Sequence, residues 1–152
     1  MEKGIDLIEG IRNTFDYEAV DSNTYSPLTL AYVGDCVYEL IIRTAIVENG
    51  NRATNTLHKI TTKYVNAKLQ AQLGTVLQED YTEDELAVYR RGRNAKSHSS
   101  AKNASINDYR KATGLEAVMG YLYLTNQQER MLNLVEIGLK KLELDLVIPK
   151  EK

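Results

Sequence analysis

Two acids in this chain stand where acids are costly. Asp35 lies in the stretch Leu30-Ala31-Tyr32-Val33-Gly34-Asp35-Cys36-Val37-Tyr38-Glu39-Leu40-Ile41-Ile42-Arg43. Glu116 lies in Thr113-Gly114-Leu115-Glu116-Ala117-Val118-Met119-Gly120-Tyr121-Leu122-Tyr123-Leu124. Turned at the helical period, both stretches are strongly apolar, and the first is apolar nearly all round, so it should be covered on more than one side. An ionised carboxylate in dry surroundings is unfavourable unless it is paired or bound to a cation. Each acid has small neighbours, Gly34 for Asp35, Thr113 and Gly120 for Glu116. A glycine inside a helix costs about 1 kcal/mol relative to alanine, and close approach by another backbone is one reason to carry it. If the two helices cross at these small residues, their carboxylates converge, and converging carboxylates need a shared proton or cation. Oxygen ligands with room for water suit magnesium. Beside a basic surface, such a site fits phosphodiester chemistry. Helix-packing glycines beside solvated acids are the alternative at this point.

A basic surface is present despite a net charge of -2. From Asn49 to Gln78 there is no Asp or Glu, but there are Arg52, Lys59, Lys63 and Lys68. From Leu86 to Asn107 there is again no acid, while Arg90, Arg91, Arg93, Lys96 and Lys102 occur. Acids gather instead in Glu79-Asp80 and Glu83-Asp84-Glu85. A near-neutral chain distributed in this way still presents a basic face. Lys59, Lys63, Arg91, Arg93, Asn94, Lys96 and Lys102 are the candidate contacts to nucleic-acid phosphates.

The elements that must position these groups are helices. Only 2 prolines interrupt 152 residues, and the apolar periodicity is helical throughout. The spacing of Ile5, Leu7, Ile8, Ile11 and Phe15 predicts a first helix over 4–19. Ser26-Pro27 reads as a cap and first turn, opening a helix that runs to about Glu48 and stops at Asn49-Gly50-Asn51. On it Leu30, Val33, Val37, Leu40, Ile41 and Thr44 form one apolar stripe, with Ala31, Tyr38 and Ile42 on the far side. Residues 54–78 read as two helices bent near Tyr64 or Val65. Thr82-Glu83-Asp84-Glu85 reads as a capping-box start of a helix reaching about Arg93. Asn94 to Asn107 is the least helical part, a surface loop or a contact segment. The Glu116 helix is expected over 108–125, with Leu115, Val118, Met119 and Leu122 inward, and a last helix over 127–144.

Length and composition fit one domain, residues 1–152, with a core over about 26–144. The single cysteine, Cys36, excludes an internal disulfide and reads as a small core residue in a reducing compartment. No apolar run reaches membrane length, and the first residues lack a signal-peptide pattern. The expectation is a cytoplasmic protein with no membrane association. His58 and His98 are too few and too scattered for a zinc site.

Tyr32 to Glu39 resembles the signature helix of the ribonuclease III catalytic domain, and Thr113 to Leu124 resembles its second metal-binding helix. Leu57-His58-Lys59, Val65-Asn66-Ala67-Lys68, Arg91-Gly92-Arg93-Asn94-Ala95-Lys96-Ser97 and Tyr109-Arg110 are similar to the Mini-ribonuclease III branch, which has no double-stranded-RNA-binding domain. The resemblance covers about 28–140 and implies an all-α fold of about six to seven helices. It implies a dimeric, magnesium-dependent endoribonuclease that cuts double-stranded RNA to 5′-phosphomonoesters and matures the 23S (large-subunit) ribosomal RNA precursor. A ribosomal protein or an assembling ribosomal subunit is a further expected partner. Asp35 and Glu116 match the family's catalytic and metal-binding acids. Leu28 and Ala31 stand where larger members carry signature glutamates, Thr113 stands where they carry an aspartate, and Thr54 to Thr56 holds no acid where they carry a further glutamate. The rival reading is a catalytically silent domain of the same fold that binds RNA in ribosome assembly. A helical protein–protein adaptor is disfavoured by the basic segments.

Overall fold

The computed structural model describes residues 6–95 and 105–146. Among them are seven α-helices: α1 (Leu7–Phe15), α2 (Pro27–Glu48), α3 (Thr54–Tyr64), α4 (Ala67–Val76), α5 (Glu83–Asn94), α6 (Ile106–Leu124) and α7 (Gln128–Lys141), with a 3-10 turn at Ser22–Thr24. The fold is all-α, as expected.

Local chemistry sets most boundaries. Ser26 Oγ accepts from the Thr29 N–H at 3.1 Å, and Pro27 opens α2. One side chain, Asn66, both ends α3 and starts α4. Its Nδ2 donates to the Thr62 carbonyl at 2.8 Å, and its Oδ1 accepts from the Leu69 N–H at 2.8 Å. Thr82 and Glu85 form a reciprocal capping box on α5. The first helix is shorter than its pattern: Ile8 is its buried apolar residue, while Leu7, Ile11 and Phe15 are exposed. The Glu116 helix begins two residues earlier than its apolar pattern, because Ser105 Oγ caps the Asp108 N–H at 3.0 Å. The last helix ends at Lys141, three residues short of expectation.

The centre of the molecule is α6. Leu115, Ala117, Val118, Met119 and Leu122 are almost wholly buried, and α2, α4 and α5 pack around them. The buried side chains of α2 are Leu30, Ala31, Val37, Tyr38, Ile42 and Ile46. This corrects the stripe read from sequence. The face holding Ala31, Tyr38 and Ile42 is the core face, while Leu40 is 55% exposed and Thr44 is exposed. Periodicity finds an apolar stripe but does not say what covers it.

Two polar devices fasten the periphery. Tyr38 Oη donates to the Tyr64 carbonyl at 2.6 Å, and Tyr64 Oη donates to the Asp145 carbonyl at 2.9 Å, tying the segment after α7 to the end of α3. Glu85 is buried and is gripped by Arg130 of α7 through Nε at 3.0 Å and Nη2 at 2.9 Å. Burial alone would raise the Glu85 carboxyl, but the Arg130 and Thr82 hydrogen bonds outweigh it and hold it below its ordinary value.

Candidate functional site

The site forms where α2 crosses α6. Gly34 and Gly120 meet there backbone to backbone. A Cβ placed on Gly34 would overlap the Glu116 carbonyl and stand 2.6 Å from the Gly120 nitrogen, and one on Gly120 would overlap the Leu30 carbonyl. No other residue type permits this approach. The crossing brings Asp35 and Glu116 within hydrogen-bonding reach of each other.

Their environments differ. Asp35 is exposed, and Glu116 is half-buried. Burial first, then the hydrogen bond to Asp35 and its negative charge, push the Glu116 carboxyl up to about 9. Glu116 therefore holds its proton more tightly than an ordinary carboxyl does. A pair of neighbouring carboxyl groups is a candidate holder of a divalent cation, which relieves their mutual repulsion. The donors are all oxygen, with open solvent on the Asp35 side. That suits a hard ion that takes one or two carboxylates and keeps several waters. Among the described residues, no group of three or more His, Cys, Asp or Glu side chains forms a fuller cage. Thr113 is buried, and its hydroxyl is bonded to the Tyr109 carbonyl of its own helix at 2.9 Å.

The candidate basic residues fall into two regions. Lys59 and Lys63 are exposed on α3 beside His58 and Thr62. Arg91, Arg93 and Asn94 belong to the last turn of α5, not to a free loop. Gly92 between them is buried against Gly114 and Ala117 of α6. Arg91 Nη2 donates to the Tyr25 carbonyl at 3.4 Å, just before α2. The Arg93 guanidinium lies 5.7 Å over the Tyr89 ring. Lys96 and Lys102 lie outside the described residues. Glu39, one turn beyond Asp35, pairs with Arg43 at 2.9 Å. Arg43 was not singled out from sequence, although its four-residue spacing from Glu39 is the signal that finds it.

Beside the acids runs an open apolar groove of about 870 Å³, lined by Leu7, Tyr32, Val33, Cys36, Leu40 and Leu132, with Asp35 at its edge. Cys36 is exposed on this face. It is not the core residue expected from the apolar sequence around it.

An all-helical fold with one acid on each of two glycine-crossed helices is that of a ribonuclease III domain, and the Ribonuclease III domain family model matches residues 28–127. The chain belongs to the ribonuclease III family and is an endoribonuclease, with double-stranded RNA as the substrate this domain implies. Within the family it lies on the Mini-ribonuclease III branch. It is 49% identical to Mini-ribonuclease 3 of Enterococcus faecalis over 123 residues, 80% of this chain and 93% of that protein. It is 46% identical to Mini-ribonuclease 3 of Clostridium tetani, over 80% of this chain and 82% of that one. The crystal structure of protein FN1578 from Fusobacterium nucleatum superposes with a TM-score of 0.73 at 30% identity, covering 80% of this chain and 99% of that one. No helix among the described residues is long and apolar enough to cross a membrane.

Proposed function

We propose that this chain is a magnesium-dependent endoribonuclease that matures the large-subunit (23S) ribosomal RNA precursor in the cytoplasm. The observation that carries this reading is the convergence of Asp35 and Glu116 at the Gly34–Gly120 crossing. In this reading both acids hold magnesium and are the catalytic residues. When bound, the ion supplies positive charge against the charge that develops on the phosphodiester and makes water at the site more acidic.

The chain's own residues do the rest. Asp35, on the open side, faces the incoming strand, and Glu116 gives up its proton as the site is charged. Lys59, Lys63, Arg91, Arg93 and Asn94, with Lys96 and Lys102, contact phosphates and 2′-hydroxyls of the duplex. Such contacts read A-form shape and not base sequence. The apolar groove along α2 is the face of a homodimer, with one acid pair per subunit. The whole chain, 1–152, acts as one catalytic domain with its core over about 26–144, and a ribosomal protein or assembling subunit presents the substrate.

The test is incubation of the purified protein with long double-stranded RNA and with a 23S precursor duplex, with and without magnesium. Magnesium-dependent cutting of both, with 5′-phosphate ends, is expected. Binding without cutting under all metal conditions would leave the chain an RNA-binding member of the family.

A further inference from the structure

Cations flank the acid pair at both ends of α2. Toward its start, Arg91 reaches the Tyr25 carbonyl, immediately before the Ser26 cap. Toward its end, Arg43 lies eight residues beyond Asp35, which is about 12 Å along the helix at a rise of about 1.5 Å per residue. Arg43 lines a small cleft of about 110 Å³ between α2 and α3, with Val47, Thr54, Leu57 and His58. The basic face of α3 continues from there: Lys59 and Lys63 are exposed beside His58.

The Arg43 guanidinium is not loose. Glu39 Oε2 holds its Nε at 2.9 Å, one helical turn from Asp35, while the side chain stays 52% exposed. A guanidinium held by Nε still has its two terminal nitrogens to offer, the fork that suits a phosphate. From Asn49 to Gln78 the chain has no acid. Glu39 is the acid paired with Arg43, and it orients the guanidinium without covering it.

We propose that Arg43, with His58 across the cleft, grips a backbone phosphate of the cut strand on the far side of the acid pair from Arg91. The strand then runs along α2, held at both ends with the scissile phosphate at Asp35 and Glu116. Arg43 is a positioning residue, and Glu39 aims it. This rests on the reading of Asp35 and Glu116 as the cutting site, but its test does not use cutting.

The experiment measures binding of duplex RNA without metal, as a function of salt, for the wild type and for Arg43→Gln, Glu39→Gln and Arg43→Lys. Each lost phosphate contact lowers the log–log salt slope by about 0.9. Arg43→Gln is expected to weaken binding about tenfold and flatten the slope by about one unit, with the sedimentation of the free protein unchanged. Arg43→Lys is expected to keep the slope. Glu39→Gln is expected to bind at least as tightly as wild type, since it removes a negative charge near the strand. An Arg43 that serves only the helix would make Glu39→Gln and Arg43→Gln equal in thermal stability loss and leave both RNA slopes at the wild-type value, which overturns the proposal. Altered sedimentation of Arg43→Gln overturns it also, because Arg43 would then belong to an interface. A wild-type protein that binds no duplex RNA contradicts the functional reading itself and is recognised before any variant is compared.

Discussion

Gly34 of α2 lies against the backbone of Gly120 of α6, with no side chain between the two helices at that point. This contact sets the separation of Asp35 and Glu116, since each acid is one or a few residues from its glycine. A methyl group on Gly34 has only backbone to displace. Gly34→Ala is therefore expected to cost about 1–3 kcal/mol by overpacking, read as a lower Tm. Cleavage should fall much further than stability, because the helices part where the acids meet. Wild-type cleavage by a folded Gly34→Ala protein would separate the crossing from the chemistry.

The raised Glu116 carboxyl has a pH signature. Its folded value of about 9 lies above the ordinary value of 4.5. Its contribution to stability is fully present below about 4.5 and is lost as pH rises toward about 9. Without metal, thermal stability should fall over this window more steeply for the wild type than for Glu116→Gln. Magnesium should restore stability increasingly as pH rises, and should do nothing for Glu116→Gln. Parallel pH profiles of the two proteins without metal would mean that Glu116 is not strained by Asp35.

Much of this site was legible before the fold was known, and the reason is local. Ser26 and Thr82 announce helix starts through capping chemistry that spans three residues, while the Asn66 cap between α3 and α4 went unread. Gly34 and Gly120 point to close approach, one reason to carry glycine in such apolar stretches. What escaped was tertiary. Leu40 and Cys36 sit in apolar sequence yet face outward, since an exposed apolar stripe has the same periodicity as a buried one. The grip of Arg130 on Glu85 joins residues 45 apart, and no spacing rule reaches that far.

That grip is bidentate and holds a buried carboxylate. Arg130 also donates to the Asp80 carbonyl at 2.7 Å. Removing it leaves the Glu85 carboxylate buried and unpaired. Arg130→Ala is expected to cost about 3–5 kcal/mol, measured by urea unfolding at neutral pH. Because the Glu85 carboxyl is held below its ordinary value, the loss should shrink as pH falls through the acid range. A cost under about 1 kcal/mol would place the pair with ordinary surface bridges.

The groove along α2 predicts association. Leu40 is exposed in the single chain and central to that face. Leu40→Arg should leave the helical content intact while shifting the protein from dimer to monomer in sedimentation at micromolar concentration. An unchanged sedimentation coefficient would move the interface elsewhere.

The most direct test of the account is Asp35→Asn, which removes a charge and almost no volume. Single-turnover cleavage of duplex RNA with magnesium is compared with metal-free binding of the same duplex. Cleavage should fall about a thousandfold or more, in keeping with the several kcal/mol a metal site supplies. Binding should hold or tighten, since one negative charge near the phosphates is gone, and the fold should be at least as stable. Cleavage by Asp35→Asn within tenfold of wild type would contradict the claim that Asp35 and Glu116 form the cutting site.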